Sequence, residues 1–265
     1  MDWQLYTLAM IAILIGGVLA WLYSVIRTDV SIVDSLWSLF FLLAASIYAY
    51  MSQPLSIRGL GVFILVAVWS IRLSAYITIR NHGTAEDYRY QTIRANNEPN
   101  FWFKSLFIVF VLQGLLAWAI SVPLLVAISS PAELTWLDGL ALALFVVGLV
   151  FEAGGDYQLA RFKADSNNSG KVMQSGLWRY TRHPNYFGDF CVWWAFFLFA
   201  LAAGAWWTIV APLLMSFLLL KVSGVVMLEK TIGDRRPEYT NYIEQTNAFF
   251  PGPRRSIATN ERAKA

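Results

Sequence analysis

The chain has 265 residues, 57% of them hydrophobic and 14% charged, with mean hydropathy +0.51 and a net charge of +3. Soluble domains carry about 25% charged residues, so the composition excludes an ordinary water-soluble domain and indicates an integral membrane protein. A single cysteine, Cys191, excludes an internal disulfide and any cysteine-cluster metal site.

A membrane-spanning helix needs about 20 apolar residues, and seven segments qualify, at about 5–26, 32–51, 59–79, 103–128, 136–159, 186–203 and 205–228. The first has no basic stretch before it and is too long for a signal peptide, so it reads as a retained helix. The second and third are parted at Gln53-Pro54, and the third and fourth by the polar stretch 80–104. Ser129-Ser130-Pro131 precedes the fifth, and the stretch 160–185 around Asn167-Asn168-Ser169-Gly170 precedes the sixth. The expected fold is therefore an all-α polytopic bundle of about seven transmembrane helices, 1–250, with a polar tail at 251–265. Lys and Arg mark the cytoplasmic side. With the N-terminus outside and the C-terminus inside, every one of the 20 basic residues except Arg58, Arg72 and Lys221 falls in a cytoplasmic loop or the tail. Basic loops beside anionic lipid account for the net charge, so no nucleic-acid partner is implied. Twelve Trp and twelve Tyr suit two lipid–water interfaces.

Ionisable groups inside spans are expensive and usually mark function. Asp34, Arg72, Glu152, Asp156, Asp189, Lys221 and Glu229 all fall in the cytoplasmic half of their spans. Glu152 and Asp156 stand four apart and share a helix face, as do Asn185 and Asp189, with Trp193 one turn further along. The expectation is a polar cavity open to the cytoplasm. The loop before the sixth span adds Lys171, Arg179 and Arg182, suited to phosphates, and Trp178, Tyr180 and Tyr186, suited to stacking on a flat ring. No G-x-G-x-x-G follows a strand and no Walker lysine motif occurs, which argues against a Rossmann or P-loop domain. His183 has no Ser or Cys partner at a recognisable spacing, and with only His82 besides, a histidine metal site is not expected.

The stretch Gly176–Asp189, "GLWRYTRHPNYFGD", and the later "LEKTIGDRRPEYTNYIEQTNAFFP" resemble the steroid 5-alpha-reductase superfamily, nearest to a bacterial branch of unknown function. "SIVDSLWSLF", "WSIRLSAYITIRNHGTAEDYRY" and "FEAGGDYQLARFK" extend the likeness over most of the chain. The resemblance implies a helical enzyme of a bacterial inner membrane that uses cytosolic NADPH to reduce a carbon–carbon double bond conjugated to a carbonyl in a lipophilic substrate. It implies cofactor contacts at Asn185, Tyr186 and Asp189, where Asp replaces the reductases' Glu. Further contacts map to Glu152, Asp156, Arg161 and Lys163, with Glu152 where the reductases have Asn. Lys171, Arg179, Tyr180, Arg182 and His183 lie in the loop, and Arg235, Arg236 and Tyr239 in the part that closes over the cofactor. The substrate carbonyl would be met by Asp34 and Arg72. Trp69 stands where those enzymes have a proton-donating Tyr, and the enolate oxygen is expected to be stabilised by Arg72 or by a hydrogen bond from a protonated Asp34. "RHPNYFG" and Arg236-Pro237-x-Tyr239-x-x-Tyr242 also resemble integral-membrane methyltransferases of the isoprenylcysteine carboxyl type. In that alternative S-adenosylmethionine replaces NADPH, and His183 and Tyr186 line the adenosine site.

Overall fold

The computed structural model describes residues 1–222 and 238–255. Among them there is no strand. The principal helices are α1 (Trp3–Arg27), α2 (Ile32–Met51), α3 (Ile57–Asn81), α4 (Tyr88–Asn97), α5 (Phe101–Ile120), α6 (Val122–Ser129), α7 (Trp136–Ala164), α8 (Pro184–Ala202), α9 (Trp206–Val222) and α10 (Glu238–Gln245). Six of them, α1, α2, α3, α5, α7 and α8, are long and apolar enough to cross a membrane. Their exposed residues include Ile15, Leu19, Ile64, Val68, Ile71, Val146 and Val150, apolar groups that a lipid-facing surface accommodates. The seventh expected span begins as α9, and its remainder lies outside the described residues.

The chain divides into two compact units, Met1–Leu142 with Ala195–Pro212, and Ala143–Trp194 with Leu213–Ala265. In the first, polar side chains tie helices together through backbone carbonyls, the bond type that lipid favours because no water competes. Ser38 on α2 and Ser70 on α3 each donate to the other's carbonyl, at 2.9 and 2.8 Å. Tyr6 on α1 donates to the Trp118 carbonyl and Trp118 Nε1 to that of Tyr6, both at 3.0 Å. Trp69 is fully buried, edge-on to Phe196 and tilted against Phe41. The expected fourth span, 103–128, is divided at Ser121, because Pro123 has no N–H to continue the helical ladder. Ser121 also bonds Tyr48 of α2 at 2.9 Å.

Charge inside the first unit is not confined to the end that carries Asp34. Arg58, in the first turn of α3, is buried against Asp138 of α7 in a two-pronged ion pair at 2.7 and 2.8 Å. Its Nη1 and Nη2 also donate to the carbonyls of Ala132 and Glu133. The planar fork thus satisfies a carboxylate and an interhelical turn together. This corrects the expectation that charges buried within the helices gather at one end only.

Candidate functional site

In the second unit the site begins where α7 crosses α8. Gly148, Glu152, Gly155 and Asp156 follow one face of α7 at intervals of four, three and one. Gly188 of α8 lies directly on that face. A Cβ there would stand 2.4 Å from the Glu152 backbone nitrogen and 2.5 Å from the Gly148 oxygen. A Cβ on Gly148 would in turn meet the Gly188 oxygen at 2.7 Å. Small residues of this kind let two backbones touch. The close crossing buries Glu152 at 2% exposure and Asp156 at 4%. Asp189, next to Gly188, is buried as well. Carboxylates leave water only where donors meet them, and Asn185 supplies one to Asp156, Nδ2 to Oδ1 at 3.2 Å.

The first turn of α8 is set by its own sequence. Pro184 takes the opening helical position, where a missing N–H costs nothing, and packs on Gly155. His183 is buried and stacks on Tyr186, ring centroids 5.7 Å apart and 17° from parallel. Upstream, Gly176 takes a left-handed φ of +60° and lies on the Gln158 side chain. Gln158 Oε1 accepts from the Leu177 N–H at 2.9 Å, and Trp178 Nε1 donates to the Gly155 carbonyl at 3.1 Å. The segment before α8 is therefore bound to the same stretch of α7 that carries the acids.

The residues expected at the cofactor sort into four groups. Glu152, Asp156, His183, Asn185, Tyr186 and Asp189 belong to the helices at the crossing and the turn leading into it. Arg161, Lys163, Lys171, Arg179 and Tyr180 are exposed. Arg161 faces Tyr157 OH at 3.5 Å and borders an open groove with Phe162, Asp165, Asn168 and Met173. Arg182 is buried, and its Nη1 donates to the carbonyls of Ile243 and Thr246 at 3.1 and 2.5 Å. Those carbonyls close α10, so this part of a side chain expected at phosphates serves backbone instead. Tyr239 is buried on α10, edge-on to Tyr242. Arg235 and Arg236 lie outside the described residues.

Asp34 and Arg72 belong to the first unit. Asp34 Oδ2 accepts from Arg89 Nη2 at 2.6 Å, and Oδ1 accepts from Tyr90 OH at 2.5 Å. Gln113 Nε2 of α5 reaches the same phenol at 3.3 Å. Both carboxylate oxygens are acceptors here, so the expected role as a protonated donor requires one of these contacts to be given up. Arg89 also pairs with Asp87 at 2.9 Å. Burial works against its charge, but Asp87 and Asp34 outweigh it and hold the guanidinium above its ordinary range. Burial first, then the adjoining Asp34, pushes the Tyr90 phenol far up, which makes it a firm donor and a poor source of a proton. The stretch 86–90 thus clasps α4 to the start of α2.

Several contributors escape a reading of charges alone: Gly148, Gly155 and Gly188 at the crossing, Gln158 beneath the loop, and Arg89 and Tyr90 on Asp34. The glycines do leave a signal, since Gly148 and Gly155 share the helical face of Glu152 and Asp156. Among the described residues no group of three His, Cys, Asp or Glu is placed to hold a metal ion.

Residues 20–246 match a protein family described as "Protein of unknown function (DUF1295)". The chain is 30% identical over 284 aligned positions to an uncharacterized protein of Schizosaccharomyces pombe, an alignment covering 91% of this chain and 78% of the yeast protein. No solved structure gives a significant match.

Proposed function

Since the chain belongs to the DUF1295 family, which is of the steroid 5-alpha-reductase-like type, we propose that it is a membrane-embedded reductase. It would use NADPH to reduce a carbon–carbon double bond conjugated to a carbonyl in a lipophilic, steroid-like, isoprenoid or fatty substrate. The observation that carries the reading is the glycine crossing of α7 and α8, which buries Glu152 and Asp156 and brings Asn185 to Asp156. Acceptors withdrawn from water at a close helix crossing suit the hydroxyl and amide donors of a nucleotide. The exposed Arg161, Lys163, Lys171 and Arg179 suit its phosphates, and the stacked His183–Tyr186 pair offers a flat face to a ring. On these grounds the donor set fits NADPH, which when bound supplies a hydride.

The chain's own part is to bind, orient and exclude water. Asn185, held by Asp156, and the acids of α7 would fix the coenzyme's polar groups. The roles proposed for Asp34 and Arg72 rest on the resemblance: they would stabilise negative charge developing on the substrate's carbonyl oxygen, Asp34 once Tyr90 or Arg89 releases one of its oxygens. The proposed orientation, with the N-terminus outside and this site facing the cytoplasm, rests on the basic-residue bias.

One observation favours a second reading. Part of the Arg182 fork is directed to α10, and the buried ionisable groups on α7 are acids. Buried acids of this kind suit the cationic sulfonium and ammonium of S-adenosylmethionine, and hence a methyltransferase. Thermal unfolding of the detergent-purified chain with NADPH, NADH and S-adenosylmethionine separates the two, because a ligand that binds the folded state raises the midpoint by mass action. The reductase reading expects a rise with NADPH that Asp156→Asn diminishes. A rise with S-adenosylmethionine alone would select the methyltransferase, and no rise with any of the three would refute both.

A further inference from the structure

Arg182 lies in a backbone zipper between residues 178–182 and 242–252. Its own N–H donates to the Asn247 carbonyl at 2.9 Å, and its Nη1 to those of Ile243 and Thr246 at 3.1 and 2.5 Å. Thr181 Oγ1 donates to the Phe249 carbonyl at 2.7 Å, the Gly252 N–H to that of Tyr180 at 3.0 Å, and Tyr242 OH to that of Trp178. The last carbonyls of a helix lack partners within it and carry the negative end of its dipole, so a guanidinium fork satisfies both needs at the end of α10. Phe249 and Phe250 then pack edge-on against Phe187 and Phe190 of α8. The zipper stops one residue before His183, and two residues later Asn185 reaches Asp156.

We propose that Arg182 is a positioning residue of the site rather than a ligand of cofactor phosphate. By holding the end of α10 it fixes the angle at which the chain enters α8, and through that the placing of Asn185 against Asp156. A lysine would supply the charge, but its flexible ammonium lacks the pre-organised guanidinium plane in which Nη1 meets both carbonyls. The proposal rests on the nucleotide-site reading, and its test separates the two.

The full chain in lipid nanodiscs would be compared as wild type, Arg182→Lys and Arg182→Ala. Hydrogen exchange without ligand reads the end of α10 directly. About tenfold or more faster exchange over residues 243–252 and 183–187 is expected in Arg182→Ala, and an intermediate change in Arg182→Lys. NADPH affinity of Arg182→Lys should fall by about tenfold or more, because small misplacements of a binding group are costly, while its unfolding midpoint stays near that of wild type. Unchanged exchange in both variants would overturn the proposal, and so would weakened NADPH binding with unchanged exchange, which marks a direct phosphate contact. A lowered midpoint with affinity intact would also overturn it, by reducing Arg182 to a purely structural part. If the wild type binds no NADPH, the nucleotide reading fails on its own, and the ligand-free exchange still decides whether Arg182 orders the start of α8.

Discussion

Gly188→Ala is the sharpest test of the helix crossing. The added methyl would lie 2.4 Å from the Glu152 nitrogen, 2.5 Å from the Gly148 oxygen and 2.6 Å from the Glu152 Cβ. None of these is the far end of a flexible side chain. To restore ordinary contact near 3.4 Å the backbones must part by about 1 Å. Overpacking of this kind costs about 1–3 kcal/mol. The Asn185–Asp156 bond is already at 3.2 Å, so the same displacement takes it beyond hydrogen-bonding range. Gly61→Ala is the control, because a Cβ on that glycine of α3 meets nothing within 4 Å. There the change gains helix propensity of up to about 1 kcal/mol. Thermal unfolding in mild detergent should show a lower midpoint for Gly188→Ala and an unchanged or higher one for Gly61→Ala. Binding of the ligand that shifts the wild-type midpoint should fall by about tenfold or more in Gly188→Ala only. If both variants match wild type in stability and binding, α7 and α8 do not meet through Gly188, and the site loses its foundation.

Arg58→Ala leaves Asp138 buried without its guanidinium and should cost about 3–5 kcal/mol in reversible unfolding, with Arg58→Lys falling between. A double-mutant cycle of Asp34→Ala and Arg89→Ala should give a coupling of about 1–2 kcal/mol, reduced by the partial exposure of both side chains, and each single variant should speed proteolysis within 82–97. No measurable coupling would mean that the Arg89–Asp34 pair contributes nothing to holding α4. The start of α4 should also loosen in acid. Partial burial works to raise the Asp87 carboxyl, but its hydrogen bonds from Arg89 win and hold it below 3.8. The stabilisation is therefore complete above about pH 3.8 and lost as the pH falls through the lower folded value. Hydrogen exchange over 86–92 should rise in that window in wild type, and Asp87→Asn should abolish the dependence.

The membrane helices were legible because hydropathy and length suffice for them. Six of the seven expected spans coincide with described helices to within a few residues, or, for the fourth, with a helix and its continuation past Ser121. The division at Ser121 was written in Pro123, but an apolar run reads through a proline unless the lost ladder bond is given weight. α4 was hidden by its polarity: ten residues, among them two arginines and two asparagines, carry no apolar stripe of spanning length. What gives it a place is a buried Tyr90 and the carboxylate of Asp34, 56 positions away.

The buried acids were legible in the sequence and the partners of the bases were not, for a physical reason. A carboxylate within an apolar run has few uses, so Glu152 and Asp156 announce themselves, and their spacing of four fixes a shared face. An arginine in a loop has many. Arg182 finds carbonyls 61 and 64 positions later, and backbone acceptors have no signature in sequence because every residue offers one. Arg58 and Arg89 show the same limit, each engaging a carboxylate 80 or 55 positions away. Charge pattern therefore located the polar groups but could not say whether a guanidinium faces a ligand or closes a helix. The resemblance favoured the ligand. The carbonyls at the end of α10 favour closure for Arg182, and under the proposed nucleotide reading phosphate would fall to the exposed Arg161, Lys163, Lys171 and Arg179. It follows that removing charge from those four should weaken a phosphate-bearing ligand without altering exchange at α10, whereas removing Arg182 should alter exchange even in the absence of any ligand.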